Sequence, residues 1–484
     1  MRTSSPNPFI PCFLVNGKLV VMNNLRVTMT GSRKTGAAAA PGGWPGVGHA
    51  PALIANRLKF LSSLPPAGEV VEIRLGPIPA YVVTDPAIVH QLLVPGDRDY
   101  DRGRLMAKAS AWFGDALLTS HGTSHQQQRK SLRSAFTAEQ VTAHIRHVHS
   151  SAVVLAQSWI ADEVHAVDDQ MKDLALANTA HSLFSTDLTQ ENLDRIRVNM
   201  PILFKSVLFR TILPSGLDRM PTVGNLRFKK ALLAMDDVVG TIIADRRTDK
   251  GSNSEHGDLV ASLLAARDAD GEALSDRQIR DHAMTMLVAG SESTAAALSW
   301  ALYEIFRNPD IAQRVHEELS TVPTRKALTI DDITSLTYLN GVVNETLRRY
   351  PVPFIMRRTL KPVRLGRVEL PAGAEIVYSP YLLHHDPRWF PEPTRFDPER
   401  WSPERRRSIV RGAYLPFGAG AHVCIGKKMA LAGVTTTLAA ICSQWRLEPL
   451  AGKRIREVAT GTVQPNQLPM IPRRLPVGQP RRPA

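Results

Sequence analysis

The chain has 484 residues, 43% of them hydrophobic, enough to bury a large core. Lys and Arg outnumber Asp and Glu by 59 to 45; the excess of 14 suits nucleic acid, a membrane surface or an acidic protein partner, but no zinc-finger spacing, RNP-like aromatic motif or continuous basic helix supports the first. Three scattered cysteines, Cys12, Cys424 and Cys442, with no C-x-x-C, argue against a disulfide framework and a structural zinc site and fit a reducing cytoplasm.

The apolar run Phe9 to Val15 is broken by Pro11 and falls well short of the roughly 20 residues of a spanning helix. Val20-Val21-Met22 is too short for a secretory h-region. Residues 1–40 are therefore expected to be a disordered or artefactual extension, with Met22 and Met29 as alternative starts. One large domain is expected over 41–476 and a disordered tail over 477–484; the polar run Gly251 to Gly257 is the best internal boundary, though short enough to be an inter-helix loop.

Pro41 to His49 is too rich in Pro and Gly to be helical. Val70–Leu75 and Tyr81–Thr84 are β-rich runs around Gly76-Pro77-Ile78-Pro79 and read as a hairpin. Asp99 to Ser120 reads as irregular, with Trp112, Phe113, Leu117 and Leu118 as apolar points. His125 and Arg129 then lie four apart on one face of a helical pattern, by themselves an ordinary polar surface. From about Ala138 to Arg247 the chain is helix-rich; Pro201 to Phe204 and Val207 to Phe209 are apolar clusters of the kind that usually form core.

The longest helix is expected over Asp276–Asn308, with Ser275 and Gln278 as a capping box and Asn308-Pro309 as the stop, roughly 50 Å in all. In its middle Ala289-Gly-Ser-Glu-Ser-Thr294 interrupts an apolar run with a carboxylate and three hydroxyls, whose burial without purpose would cost a few kcal/mol. Gly290 weakens the helix and gives a ligand room. Glu345 and Arg348 sit three apart on one helix face, Phe396-Asp-Pro-Glu-Arg400-Trp401 follows, and Val363 to Ile376 reads as short strands and turns. Last comes Phe417-Gly-Ala-Gly-Ala-His-Val-Cys-Ile-Gly426, where Gly418, Gly420 and Gly426 permit a tight backbone around the Cys424 thiol. On the loop alone, an inert core cysteine and a metal-ligating thiolate are equal readings.

The order Phe417, Gly420, His422, Cys424, Gly426 resembles the cysteine-ligand loop of the cytochromes P450, and the other segments match that family's order from about Pro41 to Leu475. The resemblance implies a mainly helical fold with a small β region, haem b lying between a long distal helix and the loop, and Cys424 as the iron's proximal thiolate. Around the haem it implies Phe417, Gly426 and His422 from the loop, His125 and Arg129 on one propionate and Arg357 on the second, with Arg358 one register away. Glu292 and Ser293, with Thr294 beside them, match the distal acid-alcohol pair; the family generally has Thr where this chain has Ser293, which keeps the hydroxyl and loses the methyl that restricts the rotamer. Glu345, Arg348 and Arg400 match a buried structural triad locking the cysteine loop, and the tail from Thr460 to Leu475 matches a hairpin whose tip touches substrate.

The function implied is insertion of one oxygen atom from O2 into a lipophilic small molecule, with electrons from a separate ferredoxin and NAD(P)H-dependent reductase docked near Arg405, Arg406, Arg407, Arg411, Lys427 and Lys428. Leu287, Ala289, Phe354, Ile355 and Met356 suggest an apolar pocket. Tyr378 to Tyr381 and the Gly-Ser-Glu-Ser core look similar to bacterial terpene oxidisers, so the leaning is to a sesquiterpene-like or other terpenoid substrate, with a fatty acid or macrolide as alternatives. A haem-thiolate isomerase or a haem sensor would need no acid-alcohol pair. A cytoplasmic monomer with no membrane span and no nucleic-acid partner completes the expectation.

Overall fold

The computed structural model describes residues 13–15, 18–20, 35–185, 188–212, 220–248, 259–266, 272–324 and 326–475. The run 251–257, the starts Met22 and Met29, and the tail 477–484 lie outside the described residues. The chain divides into two units, Met1–Gly36 and Ala37–Ala484. In the first, β1 (Phe13–Val15) pairs antiparallel with β2 (Lys18–Val20).

The second unit begins with β3 (Ala38–Ala39), α1 (Ala50–Ser62), β4 (Val70–Leu75), β5 (Ile78–Val83), α2 (Pro86–Leu93), β6 (Tyr100–Asp101), α3 (Gly103–Phe113) and α4 (Gly122–Leu132). Long helices follow: α5 (Ala138–Ser158), then β7 (His165–Ala166), α6 (Val167–Phe184), α7 (Gln190–Ile212), α8 (Val223–Thr248), α9 (Leu259–Ala265) and α10 (Asp276–Arg307). The remainder is α11 (Pro309–Leu319), α12 (Ile330–Ser335), α13 (Thr337–Arg349), β8 (Ile355–Thr359), β9 (Val363–Leu365), β10 (Val368–Leu370), β11 (Glu375–Tyr378), α14 (Pro380–His384), α15 (Pro403–Arg406), α16 (Lys427–Cys442), β12 (Trp445–Pro449), β13 (Glu457–Ala459), β14 (Val463–Pro465) and β15 (Pro469–Arg474). The fold is mainly helical with a small β region, as expected.

The main sheet has six strands in the order β3-β4-β5-β11-β8-β6. β4 and β5 form a hairpin where one was expected, Val70 opposite Val83, but its turn is only Gly76-Pro77, since Ile78 and Pro79 already pair with Leu75 and Arg74; β11 runs parallel to β5 and antiparallel to β8 with Ile376 opposite Arg357. Because Ala38 pairs with Val71, the sheet starts ahead of Pro41, and residues 37–40 are not part of an extension. Backbone pairing at an edge needs no side-chain signal, which is why an Ala run hid it.

The capping box of α10 is present: the Ser275 hydroxyl accepts from Gln278 N, and the Gln278 side chain accepts from Ser275 N at 2.8 Å. Residues on every side of α10 are buried, from Met284 and Leu287 to Trp300 and Ile305, so the helix runs through the interior. Its first half faces the larger apolar core with the main sheet, and its second half faces a core shared with α5, α13 and α16.

The stretch 99–120 is not irregular, since α3 occupies Gly103–Phe113. Leu105, Ala109, Trp112 and Phe113 carry a helical period, but the cap that would announce it is replaced by Asp101 Oδ1 accepting from Gly103 N at 2.8 Å, with Gly103 at φ +68°.

Candidate active site

A cavity of about 500 Å3 opens between α10 on one side and the Phe417–Gly426 loop on the other, with α3, α4, α6, α7, β8 and the β13–β14 turn closing the rest. Its wall carries Leu105, Ala109, Phe204, Val207, Ala289 and Phe354, so most of it is apolar.

The loop is built by backbone conformation. Gly418 and Gly420 both adopt φ +69°, and a Cβ on Gly420 would run into the Leu93 carbonyl. Gly426 differs from expectation: its φ is −84°, and a Cβ would make ordinary contact with Phe136 at 3.5 Å, so the backbone does not require glycine there. Cys424 N donates to Phe417 O at 2.9 Å, closing the turn. The thiol opens onto the cavity, immediately before the N-terminus of α16. Burial pushes its pKa up, while the Gly426 N–H and the charges of Arg129 and Lys427 act in the opposite direction.

Along the loop's flank, Arg129 Nη1 donates to Val423 O at 2.8 Å, and the His125 and His422 rings lie 3.9 Å apart. Arg357 lines the cavity, whereas Arg358 leaves it for Asp101, 2.6 Å away, so of the two neighbours Arg357 is the one that meets the site. Arg102, unsignalled by any spacing, joins them: its Nε donates to Leu118 O at 2.9 Å and its Nη1 is buried without a partner. Burial, then the nearby Arg357, lower its pKa to about 9. Burial and the neighbouring arginines likewise hold His125 at about 4 and His422 well below the usual imidazole range, so both rings are neutral. The carboxylate here is Asp97, 3.5 Å from His422 Nε2, with its pKa raised by burial against the pull of Arg357 and Arg102.

Strand and helix periodicity correct two pocket residues. In β8, Ile355 and Arg357 face the cavity, so Met356 between them points into the core with 2% exposure and does not line it. On α10, Thr285, Met286, Val288, Ala289, Gly290, Glu292, Ser293 and Thr294 line the cavity, but Leu287, fully buried, packs in the core. Phe354 lines the cavity beside Ile355. Part of the room left by Gly290 is taken by α6, because a Cβ would stand 2.9 Å from Thr179 Cγ2.

Ser293 exposes its side chain to the cavity and donates Oγ–H to Ala289 O at 2.8 Å; Thr294 does the same to Gly290 O at 2.7 Å. Glu292 is buried, and burial, opposed by hydrogen bonds from Thr462, Thr460 and Gln464, raises its pKa to about 7. The hairpin expected over Thr460–Leu475 starts earlier and is shorter: it is β13–β14, Glu457–Pro465, whose Thr460-Gly461-Thr462 turn lines the cavity, while β15 pairs instead with β12.

Behind the loop, Arg348 donates to both oxygens of Glu345, at 2.8 and 2.9 Å, and Arg400 Nε reaches Glu345 Oε1 at 3.3 Å. Trp401 Nε1, not anticipated, donates to Glu345 Oε2 at 3.1 Å. The link to the loop is His384. Its Nε2 accepts from Leu415 N at 2.9 Å, which makes Nδ1 the protonated nitrogen and donor to Arg348 O at 3.1 Å; Arg348 Nη1 in turn donates to His384 O at 2.8 Å.

The family model of cytochrome P450 matches residues 39–472. The chain belongs to the cytochrome P450 family. It is 38% identical over 435 residues to cyclooctat-9-en-7-ol 5-monooxygenase of Streptomyces melanosporofaciens, covering 89% of this chain and 94% of that one. It is 36% identical over 437 residues to cyclooctatin synthase of the same organism (90% and 95% covered) and 35% identical over 429 residues to pentalenene oxygenase of Streptomyces avermitilis (88% and 95% covered). This P450 is a monooxygenase, and the family's haem iron is its cofactor.

The residues present fit that group. A buried Arg102 Nη1 without an acceptor, with Arg129 and Arg357 nearby, is an excess of positive charge that the carboxylates of a haem would neutralise. The Cys424 sulfur on the cavity wall is a soft donor that would suit the iron, and among the described residues there is no group of three or more His, Cys, Asp or Glu that could hold a metal ion. No helix among the described residues is long and apolar enough to cross a membrane.

Proposed function

We propose that this P450 hydroxylates a terpenoid, on a haem b held by Cys424 with its carboxylates among Arg102, His125, Arg129, Arg357 and His422. The observation that carries the reading is the largely apolar cavity between Cys424 and the acid and hydroxyl groups of α10, in a chain whose relatives are named for terpenoid oxidation. Bound there, haem iron supplies oxygen activation, and thiolate ligation favours O–O cleavage. The chain's own residues do the rest. Ala289, Phe204 and Phe354 exclude water and orient the hydrocarbon; Glu292 holds and gives up the proton, and Ser293 Oγ, which already donates to Ala289 O, accepts a hydrogen bond on the cavity side.

Electrons come from a separate ferredoxin and NAD(P)H-dependent reductase. Arg405, Arg406, Arg407, Arg411, Lys427 and Lys428 are all exposed and offer an acidic carrier a basic face. The enzyme acts as a cytoplasmic monomer, and a sesquiterpene-like hydrocarbon is the first substrate to try.

The test is the carbon monoxide difference spectrum of the dithionite-reduced protein, followed by turnover of a terpenoid panel with ferredoxin, reductase and NADPH. A strongly red-shifted Soret band and oxygenated terpenoid products are expected. A band at the histidine-ligated position refutes the Cys424 assignment, and turnover of fatty acids alone refutes the substrate class.

A further inference from the structure

The distal acid is held by the hairpin. Glu292 Oε1 accepts from Gln464 Nε2 at 3.0 Å and from the Thr460 and Thr462 hydroxyls at 3.4 Å each, while Oε2 is buried without a protein partner. Gln464 Nε2 also reaches Thr462 Oγ1 at 3.3 Å, so the three donors form one cluster. The hairpin is itself pinned: Trp300 Nε1 donates to Val463 O at 2.9 Å, and Glu457 at its base accepts from Arg349 at 2.8 Å and Tyr381 at 2.7 Å. Its tip is in contact with the cavity wall, where a Cβ on Gly461 would stand 2.6 Å from the Phe204 ring. One short turn therefore faces ligand on one side and the acid on the other.

We propose that Gln464, backed by Thr460 and Thr462, is the positioning residue for the Glu292 proton donor, and that the hairpin tip makes this positioning depend on what fills the cavity. The proposal rests on reading Glu292 as the acid. With Oε1 occupied by donors, the proton resides on Oε2, the oxygen that no protein donor reaches. Once that proton has moved inward, the carboxylate is stabilised by the same three donors until solvent reprotonates it. A ligand that lifts the tip takes the Thr460 and Thr462 hydroxyls away and leaves Gln464, next to the pinned Val463, as the remaining side-chain donor, so the carboxyl keeps its proton more tightly. The other titratable groups nearby are already committed. Glu457 is held by Arg349 and Tyr381, the Tyr350 hydroxyl donates to Glu304, and His144 of α5, kept neutral at about 4 by burial, pairs with the Ser182 hydroxyl at 2.6 Å.

The experiment compares the holoenzyme with Gln464→Leu, Thr462→Val and Glu292→Gln. Infrared difference spectra across pH follow the protonated carboxyl band, assigned by its loss in Glu292→Gln, and peroxide formed per product is measured in parallel. Gln464→Leu is expected to raise the midpoint by about one pH unit, because a donor to the charged form is lost, and to raise peroxide per product several-fold. Thr462→Val shifts both the same way by less, and carries the test should the first variant not fold. An unmoved midpoint in both variants overturns the positioning role. If Glu292→Gln itself leaves the peroxide ratio unchanged, the reading of Glu292 as the acid fails instead.

Discussion

Replacing Arg348 by Ala tests whether the triad holds the loop. The Arg348 and Glu345 side chains are both 0% exposed, and the guanidinium also donates to His384 O at 2.8 Å and Arg395 O at 3.3 Å. Breaking a buried pair by removing one partner costs about 3–5 kcal/mol. Glu345 would keep donors from Asp397 N at 3.0 Å, Arg400 and Trp401, which moderates the loss, while two carbonyls lose a partner at about 1 kcal/mol each. The expected destabilisation is thus about 4–5 kcal/mol, a large part of the ~5–15 kcal/mol of a folded domain. Arg400→Ala removes one N–H contact at 3.3 Å and one to Glu392 O at 2.9 Å, and should cost only about 1–2 kcal/mol. Urea unfolding of the two variants, followed by circular dichroism and extrapolated linearly, gives both values. Equal costs, or less than about 1 kcal/mol for Arg348→Ala, would refute the reasoning.

Arg102→Leu should weaken haem binding by the apo chain roughly 10–100-fold, since a charged hydrogen-bond donor is lost, as measured by titration of the Soret band. Ser293→Ala should slow product formation and raise peroxide per electron consumed; equal coupling would show that Ser293 is not the relay. Gly420→Ala must place a Cβ against the Leu93 carbonyl at φ +69°, and should lower the melting temperature and haem retention together. The Glu292 pKa is raised from 4.5 to about 7, so the folded chain binds the extra proton: its stabilising contribution is complete below the usual carboxylate range and is lost as pH rises through about 7. Urea midpoints on either side of that window should show this decline in the parent and a flatter profile in Glu292→Gln.

Features that rest on local spacing were legible in the chain alone. The Ser275–Gln278 cap, the three-residue offset of Glu345 and Arg348 and the tight backbone at Gly418 and Gly420 are set by neighbours in the chain and are present in the structure, while Gly426, at φ −84°, is not needed for the turn. Features that depend on distant partners emerged only from packing. Whether Arg357 or Arg358 faces inward follows from the pairing of β8 with β6 and β11, and the same pleat turns Met356 away from the cavity. Leu287 packs in the core and not on the cavity; because α10 is buried on every side, composition alone cannot tell which side meets the cavity. Arg102 and Gln464 lack any motif; each acquires its place only when chain segments far apart in sequence close around one buried charge.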